Sequence, residues 1–334
     1  MHLVVCKMAD TKRLLWIDTL KTIGIVLVFM GHSGAPFHDG IYLFHMPLFF
    51  IISGFLWNTE KYASMPFSSF IKAKFTAYII PYLKIASVCL IIFGIIIPLI
   101  TRVEYDEVAT KLIKYLFGIL VYSRGTVEWL PQCSPLWFLT CLFFAEVLFF
   151  MIMKLNLPLF GVLISGIVGF FMSQIGKYFP WNIDNAFTCL PYLYIGILFK
   201  KYWTYIAKVK YLTIAIPFAI VFFFFGEKGT DFDGNQFNNV ALVYLESAII
   251  CYAMFVGVNV IQPGLFFGGG KFFSLIGRNT LLLMGYNYAI NAFLRFIPGM
   301  STSILLIPFS LSLGALFVVC IESEKLNKYK KYLV

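Results

Sequence analysis

The stretch from Lys21 to Gly54 contains three of the chain's four histidines, His32, His38 and His45. Histidine has an ordinary pKa near neutrality, so its imidazole can take a proton from a hydroxyl group and return it. Lys21 precedes His32 by eleven residues, which on an α-helix places both side chains within about 20° of one face and roughly 16 Å apart. This stripe of a cation and an imidazole is the first candidate for a catalytic site.

The elements that carry these residues are predicted to be apolar helices. Of 334 residues, 60% are hydrophobic and only 13% are charged, and the mean hydropathy is +0.85. A soluble protein of this size needs a more polar exterior. Repeated apolar runs of about 17–25 residues are typical of helices that cross a bilayer. The sequence therefore predicts an all-α, polytopic helical membrane protein.

We predict about ten membrane-spanning helices in one integral-membrane domain that covers residues 1–334. Most of the 26 lysines and arginines then fall in loops on one side, which predicts cytoplasmic termini and a location in the cell inner membrane. The first apolar run could mimic a signal peptide, but Asp18 and Lys21 interrupt it, so we expect it to be retained. The predicted spans are 14–32, 41–57, 77–100, 136–154, 157–175, 186–199, 211–225, 240–261, 280–297 and 302–321.

The net charge of +10 is explained by this topology and does not require a nucleic-acid partner. The seven cysteines lie mostly inside apolar runs and show no CxxC or Cys/His spacing, so neither a metal site nor a disulfide framework is expected. Two loops on the predicted outer side are long. Residues 101–135 contain an apolar stretch, Tyr115–Tyr122, that suits the membrane surface, and the polar residues 226–239 suit an exposed loop.

Several polar side chains lie inside the predicted spans, where they are costly unless they have a use or a partner. Glu146 is in the middle of one span, and Asn287, Asn291 and Arg295 form a stripe on another. A polar cavity between the helices would explain them. Hydrogen bonds between helices would explain the asparagines equally well, and the histidines could be polar anchors at the membrane boundary.

Five runs of sequence, taken in order, resemble the membrane-bound acyltransferase-3 superfamily: IDTLKTIGIVLVFMGHS, FHMPLFFIISGFL, SPLWFLTCLFFAE, WNIDNAFTCLPYLYIG and IGRNTLLLMGYN. The branch most similar to them is the fucose 4-O-acetylase-like one. The family's motif of a basic residue, ten residues and a histidine falls on Lys21 and His32. Lysine replaces the commoner arginine here, and an ammonium cannot make the bidentate contacts of a guanidinium.

Three further family elements match in part. A histidine that the family pattern leads us to expect on the ninth span is Asn287 in this chain, so no second catalytic histidine is expected there. The matching residues are Phe49, Phe50, Ser53 and Gly54 for the FFxxSG element, Trp137, Phe138 and Leu139 for the Trp-Phe-Leu element, and Gly277, Asn279, Thr280 and Leu281 for the GxNSL-type element.

The resemblance implies an integral-membrane O-acyltransferase that moves an acyl group, usually acetyl, from cytoplasmic acetyl-CoA to a sugar hydroxyl. The acceptor would be a surface polysaccharide or its lipid-linked precursor. His32 would be the general base or a transient acyl carrier, and Lys21 would steady the cofactor or the oxyanion. Expected substrate-binding residues are His45, Ser53, Trp137, Glu146 and Asn287, and expected cofactor-binding residues are Lys72, Lys74, Lys200, Lys271 and Arg278.

Two other classes of protein would use a similar pattern. A transporter or flippase for a sugar-linked lipid also needs a polar cavity and intramembrane carboxylates, although it does not require histidines gathered on one helical hairpin. A sensor or assembly partner that binds acyl-CoA without turnover is the third class. Transport without acyl-CoA would indicate the former, and binding without turnover the latter.

Overall fold

The computed structural model describes residues 14–34, 36–125, 128–155, 157–176, 178–265, 270–297 and 306–322. Within these ranges the protein is all-α, and no β-strand occurs among the described residues. The helices used below are α1 (Leu15–His32), α2 (His38–Phe55), α3 (Phe67–Ile100), α4 (Tyr105–Phe117), α5 (Trp137–Met153), α6 (Pro158–Ile175), α7 (Ile183–Ile206), α8 (Val209–Phe225), α9 (Val240–Leu265), α10 (Gly270–Arg278), α11 (Thr280–Arg295) and α12 (Leu306–Glu322).

A helix lies at each of the ten predicted spans, although several bounds differ. Helix α3 begins ten residues before the predicted start at 77, because hydropathy falls at Lys72 and Lys74 while the helix itself continues through them. Helix α7 extends beyond the predicted 186–199 at both ends. Residues 302–305 of the last predicted span lie outside the described residues.

Among the described residues, five helical stretches are long and apolar enough to cross a bilayer: Leu15–His32, Phe67–Ile100, Ser134–Met153, Pro158–Ile175 and Val240–Ile261. Helices α8 and α12 are apolar but shorter. The structure therefore supports a membrane protein with several spanning helices. The number ten and the cytoplasmic termini stay predictions.

Helix α2 is the centre of the packing and contacts α1, α7, α8 and α9. Two glycines let α2 and α7 approach closely. A Cβ on Gly54 would lie 1.9 Å from the Leu193 carbonyl oxygen, and one on Gly196 would lie 2.2 Å from that of Ile51. Small residues at such crossings allow helix backbones to approach closely, and this packing is one of the forces that drive helix association in lipid.

Helix α1 is held on its other side by α10. Thr22 donates a hydrogen bond from Oγ1 to the Phe273 carbonyl oxygen at 2.7 Å, and the Ser274 hydroxyl donates to Asp18 Oδ2 at 3.1 Å. Helix α11 also packs against α1. The predicted catalytic helix is therefore enclosed by α2, α10 and α11, and its polar residues meet partners inside the protein.

The α2–α7 crossing gives a first prediction. Gly54→Ala should lower the free energy of unfolding by about 1–3 kcal/mol, because its methyl group would overlap the Leu193 carbonyl and force the helices apart. Gly257→Ala on α9 is the matched control, since its new Cβ would meet no atom within 4 Å. Thermal unfolding of both variants in one detergent measures the difference. Equal midpoints would contradict close packing at Gly54.

Candidate active site

His32 ends α1 beside two tyrosine hydroxyl groups. Its Nδ1 lies 3.0 Å from Tyr42 Oη and 3.4 Å from Tyr288 Oη. The Tyr42 hydroxyl can donate to this nitrogen or accept from it, depending on which ring nitrogen carries the proton. On the backbone side, the Asn291 amide donates to Ser33 Oγ at 3.4 Å. The imidazole is thus oriented by helices α2 and α11.

His45 faces His32 from the second helix, and the two ring centroids are 6.5 Å apart. His45 is buried, and its Nδ1 lies 2.8 Å from the carbonyl oxygen of Ile41. A carbonyl oxygen only accepts, so Nδ1 is the protonated nitrogen in this hydrogen bond. In the neutral ring, Nε2 is then the nitrogen with a free electron pair.

The two histidines line a cavity of about 240 Å³, which we call the histidine cavity. Its walls come from α1, α2, α11, the segment before α5 and the loop 226–239. The other lining residues are Val28, Tyr42, Met46, Gly125, Ser134, Pro135, Trp137, Asp231, Phe232, Asp233, Met284 and Tyr288. Trp137, expected to bind substrate, is thus beside the histidines.

The loop 226–239 covers one side of the histidine cavity, and the prediction of a simply exposed loop is wrong for part of it. Phe232 is buried, and Asp231 and Asp233 line the cavity. The backbone N–H of Gly125 donates to Asp233 Oδ1 at 2.9 Å, and a Cβ on Gly125 would lie 2.0 Å from Oδ2. Only glycine permits this approach of the loop.

A buried ion pair fastens the loop. The Arg124 guanidinium donates through Nη2 to both carboxylate oxygens of Asp184, and through Nη1 to the Asp233 carbonyl oxygen. The Asn185 amide donates to the same carbonyl oxygen at 3.0 Å. The Arg124 and Asp184 side chains are only 3% and 1% exposed, so each buried charge needs the other as its partner.

A second cavity of about 290 Å³, the lysine cavity, contains Lys21. Ser53 lines it as well, so this expected substrate-binding residue does not share a cavity with His45. The two residues are eight positions apart on α2, which separates them by roughly 12 Å along the helix axis. Further lining residues are Phe49, Ile52, Leu56, Trp57, Tyr62, Lys74, Tyr78, Phe138, Leu139, Leu142, Glu146, Thr280, Leu281 and Met284.

Glu146, the carboxylate in the middle of α5, has partners in the lysine cavity. Lys74 Nζ lies 2.6 Å from Glu146 Oε2, and the Tyr78 hydroxyl donates to Oε1 at 3.0 Å. The Lys74 ammonium also lies 5.2 Å from the centroid of the Tyr62 ring and 5.7 Å from that of Trp57. This pair explains how both ions are buried, and it places the predicted substrate and cofactor residues together.

Lys21 and His32 line different cavities, although their stripe on α1 was predicted to form one catalytic site. Both remain on α1, but they belong to opposite ends of the protein. Met284 on α11 lines both cavities and so forms part of the wall between them. At roughly 16 Å from His32 along the helix, Lys21 is too distant to contact an oxyanion there.

The other predicted cofactor residues are dispersed. Lys200 donates to the Trp57 carbonyl oxygen at 2.8 Å, which places it beside the lysine cavity. Lys72 on α3 and Arg278 at the end of α10 are exposed, and neither lines a cavity. Lys271 is the second residue of α10, and its side chain is outside what the structure describes.

Asn287 does not line either cavity, although we expected it to bind substrate. It is fully buried on α11, between turns that carry Met284 and Asn291, and its Oδ1 and Nδ2 have no hydrogen-bond partner among the described residues. Helical spacing correctly predicted that Asn287 shares one face of α11 with Asn291, but this face packs against neighbouring helices. Of its other members, Asn291 is buried beside Ser33 and Arg295 is exposed.

Four residues of the histidine cavity escaped the sequence analysis: Tyr42, Asp231, Asp233 and Tyr288. The alternation Asp231-Phe232-Asp233 was a usable signal, because a large apolar residue between two polar ones indicates a loop with one buried face. The tyrosines gave no such signal among the 19 in the chain. Within the described residues, no group of three histidine, cysteine or acidic side chains is arranged to hold a metal ion.

Asp233 provides a pH-dependent prediction. Burial, with the charge of Asp231 adding to it, raises the pKa of Asp233 to about 7, whereas the unfolded chain has an ordinary value of 3.8. Between these two pKa values the folded protein holds the Asp233 proton and the unfolded chain does not. The contribution of this carboxyl group to the free energy of unfolding should therefore fall as pH rises from about 4 to about 7.

Asp233→Asn keeps an oxygen for the Gly125 N–H and cannot ionise, so it should gain stability relative to wild type between pH 5 and pH 8. Thermal unfolding across this range measures the gain. Asp39→Asn removes an exposed carboxylate at the same end of the protein and is the control. A difference between wild type and Asp233→Asn that does not change with pH would contradict the prediction.

Comparison with known proteins agrees with this architecture. A family model described as an acyltransferase domain, Acyl_transf_3, matches residues 14–322. No curated protein and no solved structure matches the chain. The matched residues include α1 with Lys21 and His32, both cavities and all the helices named above. The chain therefore belongs to the acyltransferase-3 family and is a membrane acyltransferase.

Proposed function

We propose that this protein is an O-acyltransferase that moves an acetyl group from cytoplasmic acetyl-CoA to a sugar hydroxyl of a surface polysaccharide or its lipid-linked precursor. The observation that carries the proposal is the pair of cavities divided by Met284. One contains lysines and a paired carboxylate, and the other contains two histidines and two tyrosines. A donor and an acceptor that approach from opposite ends would meet at this wall.

The lysine cavity suits the donor. Acyl-CoA carries phosphates, which favour the cationic end of the protein, and a long chain of amides and methylenes that ends in the thioester. Lys21 and Lys200 are the residues proposed to steady it, and Lys74 with Glu146 forms a polar wall. With the phosphates outside and the chain inside this cavity, the thioester would point toward Met284.

The histidine cavity suits the acceptor. The sugar hydroxyl gives its proton to His32 as its oxygen forms a bond to the thioester carbonyl carbon. The carbon–sulfur bond then breaks, and the CoA thiolate takes the proton back from the imidazolium. An acyl-imidazole on His32, formed first and then attacked by the hydroxyl, gives the same products. In either route Tyr42 orients the ring through Nδ1.

His32→Ala tests the base. Acyl transfer should fall by about 10²–10⁴-fold, the usual contribution of a positioned base, while the amount of protein in the membrane stays the same. His38→Phe is the control, because His38 lies outside the cavity lining and a phenyl ring can still stack on Tyr42.

The measurement is the amount of acyl ester on surface glycans, by mass spectrometry and NMR, in cells that carry each variant or lack the protein. Undiminished O-acetylation by a normally abundant His32→Ala protein would remove His32 from the reaction. Identical glycans with and without the wild-type protein would contradict the proposed acceptor.

Met284 tests the wall between the cavities. Met284→Trp should abolish transfer but leave CoA binding within about twofold, because a larger and stiffer side chain closes the passage without reaching the lysines. Met284→Leu conserves volume and should retain both properties. Equilibrium binding of CoA and acyl transfer are measured on the same purified samples. Normal transfer by Met284→Trp would show that the thioester takes another path.

A further inference from the structure

The acyl-transfer chemistry leaves three polar residues of the histidine cavity without a role: Asp231, Asp233 and Ser134. The two carboxylates belong to the loop 226–239, and the serine precedes α5. Among the residues that line this cavity, the aspartates are the only acidic ones and no lysine or arginine accompanies them. The cavity is therefore lined by two acidic side chains as well as by its two histidines.

The loop holds these carboxylates in place by backbone hydrogen bonds. Backbone hydrogen bonds in both directions between Asp231 and Gln236 close the turn, and Asp231 Oδ1 accepts from the Asp233 N–H at 3.0 Å. The Arg124 guanidinium contacts this loop, but it donates to both carboxylate oxygens of Asp184 and to the Asp233 carbonyl oxygen. No ion pair to either carboxylate occurs within the described ranges.

Ser134 supplies an independent observation. Its side chain is 2% exposed, and its buried Oγ has no hydrogen-bond partner in the part of the chain that the structure describes. Burying a hydroxyl without a partner costs free energy, so a bound polar molecule that reaches this oxygen would be favoured. Since Ser134 lines the histidine cavity, the missing partner fits a ligand of that cavity.

The remaining walls limit the shape of such a ligand. Trp137, Tyr42 and Tyr288 present aromatic rings, which pack well against the C–H faces of a sugar. The volume of about 240 Å³ is several times the ~30 Å³ that one water occupies in the liquid. This space suits one sugar ring, with hydroxyl groups around its edge and apolar faces above and below.

We propose that Asp231 and Asp233 select the acceptor: they bind adjacent hydroxyl groups of a neutral sugar ring, and they exclude sugars that carry a carboxylate or phosphate near the reacting hydroxyl. This inference rests on the proposed function for its reaction, but it concerns binding. Two fixed aspartate side chains hydrogen-bond to neighbouring hydroxyls, and Ser134 adds a third polar contact. Binding is compared at pH 8, above the pKa of about 7 of Asp233, so that this side chain is ionised. An anionic substituent would face like charge in a half-enclosed cavity.

The experiment compares matched glycosides on the full-length protein in lipid nanodiscs. Methyl α-glycosides of glucose, galactose and mannose are each paired with the corresponding 6-carboxylate, which has the same ring hydroxyls. Dissociation constants are measured by ligand-observed NMR without acetyl-CoA, and acetyl transfer is measured separately. At least one neutral glycoside should bind about tenfold more tightly than its carboxylate.

The variants Asp231→Asn and Asp233→Asn, alone and combined, keep an oxygen for the hydrogen bonds of the loop and remove the charge. The double variant should reduce the discrimination to about twofold, and KM for the neutral glycoside should rise more than kcat falls. Asp39→Asn removes an exposed carboxylate on α2 that does not line the cavity, and it should leave the discrimination unchanged.

Equal binding of each pair, tighter binding of the carboxylates, no binding of any glycoside, or unchanged discrimination in the double variant would overturn the inference. A preference for neutral glycosides without acetyl transfer would instead uphold the inference and contradict the proposed function. Transfer of acetyl to both members of a pair at equal rates would uphold the proposed function and contradict the inference. The two proposals can therefore fail separately.

Discussion

The buried ion pair between Arg124 and Asp184 is the interaction on which the arrangement of the histidine cavity depends. It joins the segment before α5 to the first turn of α7, and Arg124 also holds the Asp233 carbonyl of the loop 226–239. The Tyr178 ring lies 4.7 Å from the guanidinium carbon. Losing one partner of such a pair costs about 3–5 kcal/mol, because the other charge stays buried. Three distant segments are therefore held together by one cation.

This constraint explains why two cavities with different chemistry can coexist in an apolar protein. Each buried charge that the structure places in a described ion pair has its partner on another segment: Arg124 with Asp184, and Lys74 with Glu146. The pairs lie at opposite ends and stabilise opposite walls. Met284 on α11, which carries no charge, separates the ends. The separation keeps the cationic donor side apart from the acidic acceptor side until substrates connect them.

The sequence was most informative where contacts are local. Helical periodicity predicted that Lys21 and His32 share a stripe, and the short connection between the first two helices predicted that His32 and His45 lie close together. The structure contains both helices. The same local geometry could not show which face of α1 meets which cavity. That depends on α11, whose Met284 and Tyr288 come more than 250 residues later in the chain.

Partners that are distant in the chain could not be predicted at all. Glu146 was recognisable from the sequence as a charge that is costly in the middle of a span. Its partner Lys74 belongs to another helix, and the span predicted there from hydropathy began only at residue 77, after Lys74. Asp233 lies 109 positions from Arg124, and nothing in the spacing of either residue indicates the other. Asn287 shows the converse case. Its stripe was predicted correctly, but its burial between helices is a property of the packing.

The distance between the two imidazoles limits the chemistry of the histidine cavity. The ring centroids are 6.5 Å apart, so an imidazolium at one ring would repel a second positive charge at the other. His45 already commits its Nδ1 proton to the Ile41 carbonyl, whereas His32 has a tyrosine hydroxyl that can donate or accept. The proton at His32 can therefore change position without breaking its hydrogen bond. One proton accepted and later returned is what transfer of an acyl group between a thiol and a hydroxyl requires, which is why we assign the base to His32 and the fixed neighbour to His45.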